Sequence, residues 1–112
     1  VFGNGNQTRC FTYVEDAVKG ILTVVEKGKT GEAYNIGNNQ PTTMLELAQL
    51  IKEITGSSSE IIKVGFGKDT RLKEREIEYR VPDISKIESL GWKPTTMVKE
   101  GIKKILELRK KN

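Results

Sequence analysis

The stretch GNGNQTRCFTYVED, residues 3–16, combines a turn with the start of a helix. The pair Asn4-Gly5 favours positive φ angles, which predicts a tight turn after a short extended segment. Thr12 and Glu15 have the spacing of a capping box, which predicts a helix N-terminus. The helix itself is predicted from apolar residues at helical spacing, namely Ala17, Val18, Ile21, Leu22 and Val25.

Short strands are predicted on either side of a second helix. Gly28 or Gly31 can end the first helix, and residues 33–36 then form a strand candidate. Residues 61–64 are a second candidate. Residues 65–82 are polar and charged, which predicts a long loop.

Three further helices complete the predicted set. Thr43 and Glu46 form a second capping box, at the start of the helix between the two strand candidates. Asp83 is placed to cap a short helix over residues 84–90, and an amphipathic helix is predicted over residues 96–108. The order of elements indicates a mixed α/β arrangement. Because two or three short strands cannot close a sheet alone, their edges need a partner, and we expect a fragment of a larger protein.

Composition excludes several classes of site within this chain. The 112 residues include no histidine and one cysteine, Cys10, which excludes Ser-His-Asp and Cys-His catalysis, an internal disulfide and an ordinary zinc site. Cys10 is interpreted as a small buried thiol. None of Tyr13, Tyr34 and Tyr79 has a lysine four residues later. No apolar run approaches the ~20 residues that span a bilayer. We therefore expect no self-sufficient active site, and no membrane partner.

The positive charge is concentrated in the second half of the chain. Residues 61–112 carry 14 of the 19 lysines and arginines, in a chain of net charge +4. Such an imbalance attracts nucleic acids or phosphorylated ligands. The basic tail fits a solvated helix face, whereas cations on a loop are more often placed for a ligand. Because interleaved aromatic residues are missing, a nucleic-acid partner is not expected.

A glycine-rich motif at the start of the chain offers one arginine to an anion. The motif Gly3-x-Gly5-x-Gln7-x-Arg9 has Thr8 where a dinucleotide fingerprint has its third glycine, so a nicotinamide site is not predicted here. A planar guanidinium can bond two phosphate oxygens at once. From the residues alone, the same turn also fits a purely structural role.

Four motifs in register resemble one enzyme family. Residues 3–16 resemble the G-x-G-x-Q-x-R-x-F-x-Y-V-x-D segment of NAD-dependent nucleotide-sugar epimerases and dehydratases, the extended short-chain dehydrogenase/reductases. Residues 31–37 resemble their G-E-x-Y-N-I-G strand. Residues 80–94 resemble R-x-P-D-I-S-K followed by L-G-W-x-P, and residues 100–102 resemble the start of their last helix. Cys10 stands where the family more often has Ser or Asp.

The resemblance covers the C-terminal third of such an enzyme. It implies an α/β fold with few short strands, three to four helices and no complete Rossmann domain. Residues 1–112 would form a single C-terminal domain that binds the nucleotide-sugar. The N-terminal NAD-binding domain of such an enzyme would be absent from this sequence. NAD is implied for the parent enzyme and not for this chain alone, since the cofactor loop and the catalytic Tyr-x-x-x-Lys lie outside the resemblance.

The resemblance also implies site residues. Arg9 would contact the nucleotide diphosphate, and a second arginine would come from the loop before the P-D motif. Its candidates are Arg71, Arg75 and Arg80, with Arg75 preferred and Arg80 next. Phe2 would line the base pocket. No catalytic residue is expected in this chain.

Partners and activity follow from the same resemblance. The ligand would be a UDP- or dTDP-sugar, and the protein partners would be the N-terminal Rossmann domain and a second copy in a cytoplasmic homodimer. A UDP-glucose 4-epimerase-like enzyme is the leading activity. UDP-glucuronate decarboxylase-like, dTDP-glucose dehydratase-like and non-catalytic binding modules are the alternatives. In an isolated fragment the apolar face of the first helix would lack its natural partner and promote self-association.

Overall fold

The computed structural model describes residues 1–67 and 74–111 of the chain. In chain order the elements are β1 (Thr8–Arg9), α1 (Val14–Lys27), β2 (Thr42–Thr43), α2 (Met44–Thr55), α3 (Ser85–Glu88) and α4 (Val98–Lys111). Contacts divide the chain into two compact units. The sheet unit comprises Val1–Arg9 and Pro41–Arg80, and the helical unit comprises Cys10–Gln40 and Val81–Asn112. A single nucleotide-sugar-binding domain over residues 1–112 stays a prediction.

The sheet unit is organised around β1. This strand pairs antiparallel with β2, with Thr8 opposite Thr43. On its other edge, the Thr8 amide donates to the Glu78 carbonyl at 2.6 Å, and the Arg80 amide donates to the Thr8 carbonyl at 3.1 Å. Residues 78–80 therefore run parallel to β1. At these positions the predicted loop over residues 65–82 carries one bridge, at Tyr79, and forms no strand. The pairing is long-range, so the sequence of the segment alone did not identify β1 as its partner.

Helix α2 begins with the predicted capping box. The Thr43 hydroxyl accepts from the Glu46 amide at 3.1 Å, while the Glu46 carboxylate accepts from the Thr43 amide at 2.8 Å. Gly56 ends the helix in the left-handed conformation, with φ of 66°, which a glycine adopts without a Cβ clash. Both hydrogen bonds of the predicted capping box are present, which confirms it. Its two partners lie within one turn, so local spacing was enough to predict it.

The predicted capping box of α1 is wrong. Helix α1 begins at Val14, and its N-cap residue, Tyr13, makes no side-chain capping bond. The Thr12 hydroxyl instead accepts from the Asn38 amide at 3.0 Å. A tertiary hydrogen bond thus takes the hydroxyl that the local spacing assigned to the helix. Gly28 is the C-cap of α1. This confirms the first of the two glycines, Gly28 and Gly31, that were predicted to end the helix.

Both strand candidates outside the sheet are corrected. Residues 33–36 form no strand with any described residue, and Tyr34 and Ile36 instead pack against the helical core. Residues 61–64 are reduced to one parallel bridge, between Val64 and Phe2. A strand needs a neighbour to bond its backbone, and the described residues supply none for residues 33–36.

The helical unit has a small core built on Trp92. Ile84, Ile87 and Trp92 are buried, and the indole N–H of Trp92 donates to the Asp16 carbonyl at 3.1 Å. This confirms Trp92 as a core residue. A Cβ at Gly20 of α1 would lie 2.6 Å from Ile36 and 3.2 Å from the indole, so the glycine permits close packing of α1.

The Asp16 carboxylate joins α1 to the chain before α4. It is 2% exposed and accepts from the Thr95 amide at 3.0 Å, the Thr95 hydroxyl at 2.8 Å and the Thr96 amide at 2.8 Å. Burial opposes ionisation, but these hydrogen bonds and nearby Lys19 outweigh it and hold the pKa of Asp16 below its usual range. Because Thr95 and Thr96 bind Asp16, α4 begins two residues later than predicted.

Helix α3 is shorter than the predicted helix over residues 84–90. It spans four residues, and the Asp83 carboxylate accepts from the Ser85 amide at 2.9 Å. This hydrogen bond lowers the pKa of Asp83. Turn bonds from Leu90 to Ile87 and from Gly91 to Glu88 then close the helix early.

Two surface predictions are tested by exposure. Most of the predicted apolar stripe of α1 lacks cover among the described residues, since Val18, Ile21, Leu22 and Val25 are 49% to 78% exposed, while Ala17 is half-buried. Cys10 is only partly buried, against the prediction of a buried thiol, although burial still raises the pKa of the thiol. Within the described ranges, every helix is too short or too polar to cross a bilayer.

Candidate anion-binding site

The site is built on Arg9, the last residue of β1. Its Nη1 donates to the Thr8 carbonyl at 2.8 Å and to the Ile77 carbonyl at 2.5 Å. Its Nη2 donates to the Glu76 carboxylate at 2.6 Å. The side chain is 23% exposed and that of Glu76 is 32% exposed. The guanidinium is therefore held by three acceptors and still reaches solvent.

Two donors of Arg9 remain for a ligand. A guanidinium carries five N–H donors in a fixed fork, and the contacts within the described part of the chain use three of them. The Nε–H and one Nη2 hydrogen are left. Charge-assisted bonds from such donors to phosphate oxygens are among the stronger hydrogen bonds in proteins. The arrangement can thus hold an anion without breaking the bond to Glu76.

The pairing of residues 78–80 with β1 explains why these groups meet. Thr8 and Tyr79 are bridge partners, so their side chains share one face of the sheet. Alternation along each strand then places Arg9 and Arg80 on the opposite face. Arg80 is exposed there. The structure therefore places two of the predicted arginines side by side, Arg9 in β1 and Arg80 in the segment bridged to it.

The other predicted arginines have different outcomes. Arg75 is exposed and directly precedes Glu76, whose carboxylate binds Arg9. Arg71 lies outside the described residues. Glu74, Glu76 and Glu78 alternate with the arginines of this segment, so the charges of the described neighbourhood nearly balance. Attraction of an anion consequently depends on where the guanidinium donors point rather than on a broad positive field.

An exposed aromatic pair belongs to the same unit. Phe2, the predicted base-pocket residue, is 61% exposed and stacks on Phe66 with ring centroids 6.0 Å apart and planes 20° apart. Gly3 has φ of 63°, and a Cβ there would lie 2.8 Å from the Phe66 ring. The side-chain Nε2 of Gln7 donates to the Phe2 carbonyl at 3.2 Å. This bond links the aromatic pair to the chain that leads to Arg9.

Two residues of this neighbourhood were missed in the sequence. Glu76 carries no sequence signal for a contact with Arg9, although the alternation of Ile77, Tyr79 and Val81 with charged residues is compatible with an extended segment. Phe66 carried no signal beyond being aromatic. Both are joined to their partners by contacts of more than 60 residues in sequence. Local patterns do not encode such contacts.

The described residues do not form a cofactor or metal site. Thr8 lies in β1 rather than at a helix N-terminus, so the glycine motif around it cannot cradle a dinucleotide pyrophosphate as a fingerprint loop does. Among residues 1–67 and 74–111, no group of three His, Cys, Asp or Glu side chains is placed to hold a metal ion.

A family model now accounts for the motifs. The model of the GDP-mannose 4,6 dehydratase family matches residues 1–105. The chain belongs to this family. Membership confirms the resemblance to NAD-dependent nucleotide-sugar epimerases and dehydratases at the level of the family.

Curated and solved members show what the chain is similar to. It is 44% identical over 116 residues to dTDP-D-glucose 4,6-dehydratase of Bos taurus, which covers 100% of this chain and 32% of the relative. UDP-glucose 4-epimerase of Thermotoga maritima, solved with UDP-glucose, has a TM-score of 0.85 and 34% identity over 99% of this chain and 34% of its own. UDP-glucuronic acid 4-epimerase of Bacillus cereus, solved with UDP-glucuronic acid and NAD, has a TM-score of 0.80 and 28% identity over 99% and 34%.

The matches bear on the fold and on the activity differently. The α/β fold is that of the C-terminal part of extended short-chain dehydrogenase/reductases, as predicted. The chain spans 32% to 34% of the length of these family members. Epimerases, dehydratases and UDP-glucuronic acid decarboxylases all occur among the relatives. The family is therefore established, and a particular reaction within it is not selected.

Proposed function

We propose that this chain is the nucleotide-sugar-binding part of an NAD-dependent nucleotide-sugar epimerase or dehydratase. The observation that carries the proposal is the guanidinium of Arg9, held at the end of β1 with donors left for an anion. Family membership supports it, as does the UDP-glucose in the Thermotoga maritima structure.

In this proposal Arg9 binds the diphosphate of the nucleotide. Arg75 supplies the second guanidinium, with Arg80 as the alternative, since both are exposed in the segment bound to β1. Each charge-assisted hydrogen bond contributes about 1.5–3 kcal/mol. Phe2 lines the base pocket. Anchoring the nucleotide in this way uses binding energy far from the reacting sugar carbon to orient that carbon.

The reaction itself is assigned to the rest of the parent protein. Bound NAD accepts and returns a hydride in enzymes of this family, and the described residues of this chain supply no step of that transfer. A UDP-glucose 4-epimerase-like activity is our leading assignment. UDP-glucuronate decarboxylase-like and dTDP-glucose dehydratase-like activities are the alternatives, and relatives of all three kinds support the class.

The apolar face of α1 is proposed to contact the N-terminal Rossmann domain of the parent protein. Its side chains at Val18, Ile21 and Val25 are 49%, 54% and 78% exposed, which is unusual for a contiguous apolar stripe. This chain covers only about a third of the length of each relative, which is consistent with a partner domain of this kind. The homodimer and the cytoplasmic location expected from the resemblance stay predictions.

Calorimetry on the longest natural polypeptide that contains this chain tests the proposal. Arg9→Ala should weaken binding of UDP or dTDP at least tenfold, which corresponds to the loss of about one charge-assisted bond, and should leave NAD affinity unchanged. Arg109→Ala, in the exposed last turn of α4, is the matched control. Unchanged nucleotide affinity in Arg9→Ala would show that the arginine is structural.

A further inference from the structure

We propose that Glu76 is a positioning residue for Arg9, and that its carboxylate fixes the guanidinium in the orientation that receives a diphosphate. The proposal rests on the proposed function of Arg9 and extends it to a residue with the opposite charge. Glu76 would thus strengthen the binding of an anion although it is itself negatively charged.

The contacts of Arg9 show how Glu76 would act. The carboxylate takes one hydrogen of Nη2 at 2.6 Å, while the two carbonyl contacts use Nη1. The plane of the guanidinium is thus fixed by acceptors on both terminal nitrogens. An arginine side chain loses rotamer freedom when it binds a ligand, and prior ordering removes that loss from the binding step. The donors that remain are already oriented before the anion arrives.

Burial makes this ion pair different from an ordinary surface pair. Exposed pairs contribute little, because solvent screens them and both side chains must be ordered. Here the two side chains are 23% and 32% exposed, and the Ile77 carbonyl binds the same guanidinium. Glu76 also adjoins Arg75, so the pair ties the backbone that carries the second proposed arginine to β1. Loss of the carboxylate would loosen both cations.

Two simpler roles for Glu76 predict that its removal would change the nucleotide affinity in the opposite direction. If only net charge mattered, removal of a carboxylate near the site would tighten the binding of an anion. If Glu76 competed with phosphate for Arg9, its removal would also tighten binding. The positioning role predicts weaker binding, because the two free donors of Arg9 lose their fixed orientation. The sign of one measurement therefore separates the readings.

Glu78 is the matched control in the same segment. It is exposed, lies two residues after Glu76 and carries the same charge. Its contact with β1 runs through its backbone carbonyl, which accepts from the Thr8 amide, so Glu78→Gln leaves that bond in place. Glu76→Gln and Glu78→Gln change the net charge equally. A difference between them isolates the bond to Arg9.

The experiment measures binding of UDP, dTDP and GDP by calorimetry to the longest natural polypeptide that contains this chain. We expect Glu76→Gln to raise the Kd of the bound nucleotide about tenfold, equivalent to 1.4 kcal/mol. Glu78→Gln should leave it unchanged or slightly lower. In the double variant Arg9→Ala with Glu76→Gln, the effects should not add, because the second change removes a partner that is already lost. For a sugar nucleotide that the enzyme converts to product, Glu76→Gln should raise KM and leave kcat the same.

The outcomes separate this proposal from the one on which it rests. If Arg9→Ala weakens nucleotide binding while Glu76→Gln matches Glu78→Gln or binds more tightly, the positioning role is wrong and the proposed function stands. If the wild-type protein binds none of the three nucleotides, or Arg9→Ala has no effect, both are wrong. Should Glu76→Gln fail to fold, Glu76→Asp carries the same test, since it keeps the charge and shortens the reach by one methylene.

Discussion

Replacement of the buried Asp16 by alanine should strongly destabilise the helical unit. The carboxylate accepts three hydrogen bonds from Thr95 and Thr96. Thr96 is 7% exposed, so its amide would be left buried without a partner at a cost of about 1–3 kcal/mol. The two groups of exposed Thr95 regain water, and each bond there contributes about 0.5–1.5 kcal/mol. The sum is about 2–6 kcal/mol, a large share of the ~5–15 kcal/mol that stabilises a typical domain.

Urea denaturation followed by tryptophan fluorescence measures this loss directly. Trp92 is the one tryptophan of the 112 residues, and its indole donates to the Asp16 carbonyl. Asp83→Ala is the control, because Asp83 is an exposed carboxylate whose hydrogen bonds go to the single residue Ser85, at the start of α3. We expect a much smaller shift of the midpoint for this control. Equal midpoints for the two variants would refute the role assigned to Asp16.

The same carboxylate sets a pH dependence with a definite sign. The pKa of Asp16 is lower in the folded chain than its ordinary value of about 3.9. The stabilisation is therefore complete above that ordinary value and is lost as the pH falls through the lower, folded value. Denaturation midpoints of the wild type and of Asp16→Ala should converge as the pH falls below about 4. A constant difference between them down to pH 2 would contradict this assignment.

Two other perturbations test packing and the uncovered surface. Gly20→Ala should destabilise the chain, because a Cβ 2.6 Å from Ile36 overpacks the core by about 1–3 kcal/mol, which exceeds the ~1 kcal/mol gain in helix propensity. An unchanged or higher denaturation midpoint would show that Ile36 moves aside freely. Ile21→Lys with Val25→Lys should leave stability unchanged and reduce self-association of the 112-residue chain in light scattering. A monomeric wild type at high concentration would show that this face does not associate.

Local signals predicted the elements whose partners lie within a turn. The Thr43 and Glu46 pair caps α2 as expected, and a tryptophan next to a glycine was correctly interpreted as a core residue. The spacing of Thr12 and Glu15 failed because a distant amide, that of Asn38, takes the hydroxyl. Spacing alone cannot distinguish these two cases. Competition for a side chain is decided by the tertiary structure.

The strand candidate over residues 33–36 shows a different limit. Tyr34 and Ile36 are partly buried and pack against the core, whereas Ala33 is exposed. The backbone nevertheless forms no strand among the described residues. A β-strand forms only where a second segment bonds to its backbone, and the sequence of one segment does not identify the second. The inward position of Tyr34 and Ile36 fits the apolar pattern, but the pattern could not supply a pairing partner.

The candidate site depends on one such pairing. Arg9 could be singled out from its motif, but Glu76 is 67 residues away and meets it only because residues 78–80 run alongside β1. Among the described residues, the arginines Arg9, Arg75 and Arg80 balance the glutamates Glu74, Glu76 and Glu78 in charge. In the proposed function, binding of an anion at these residues would therefore rest on short, oriented hydrogen bonds. Orientation in turn requires an acceptor that holds the guanidinium still, which is why an acidic residue can favour the binding of a phosphate.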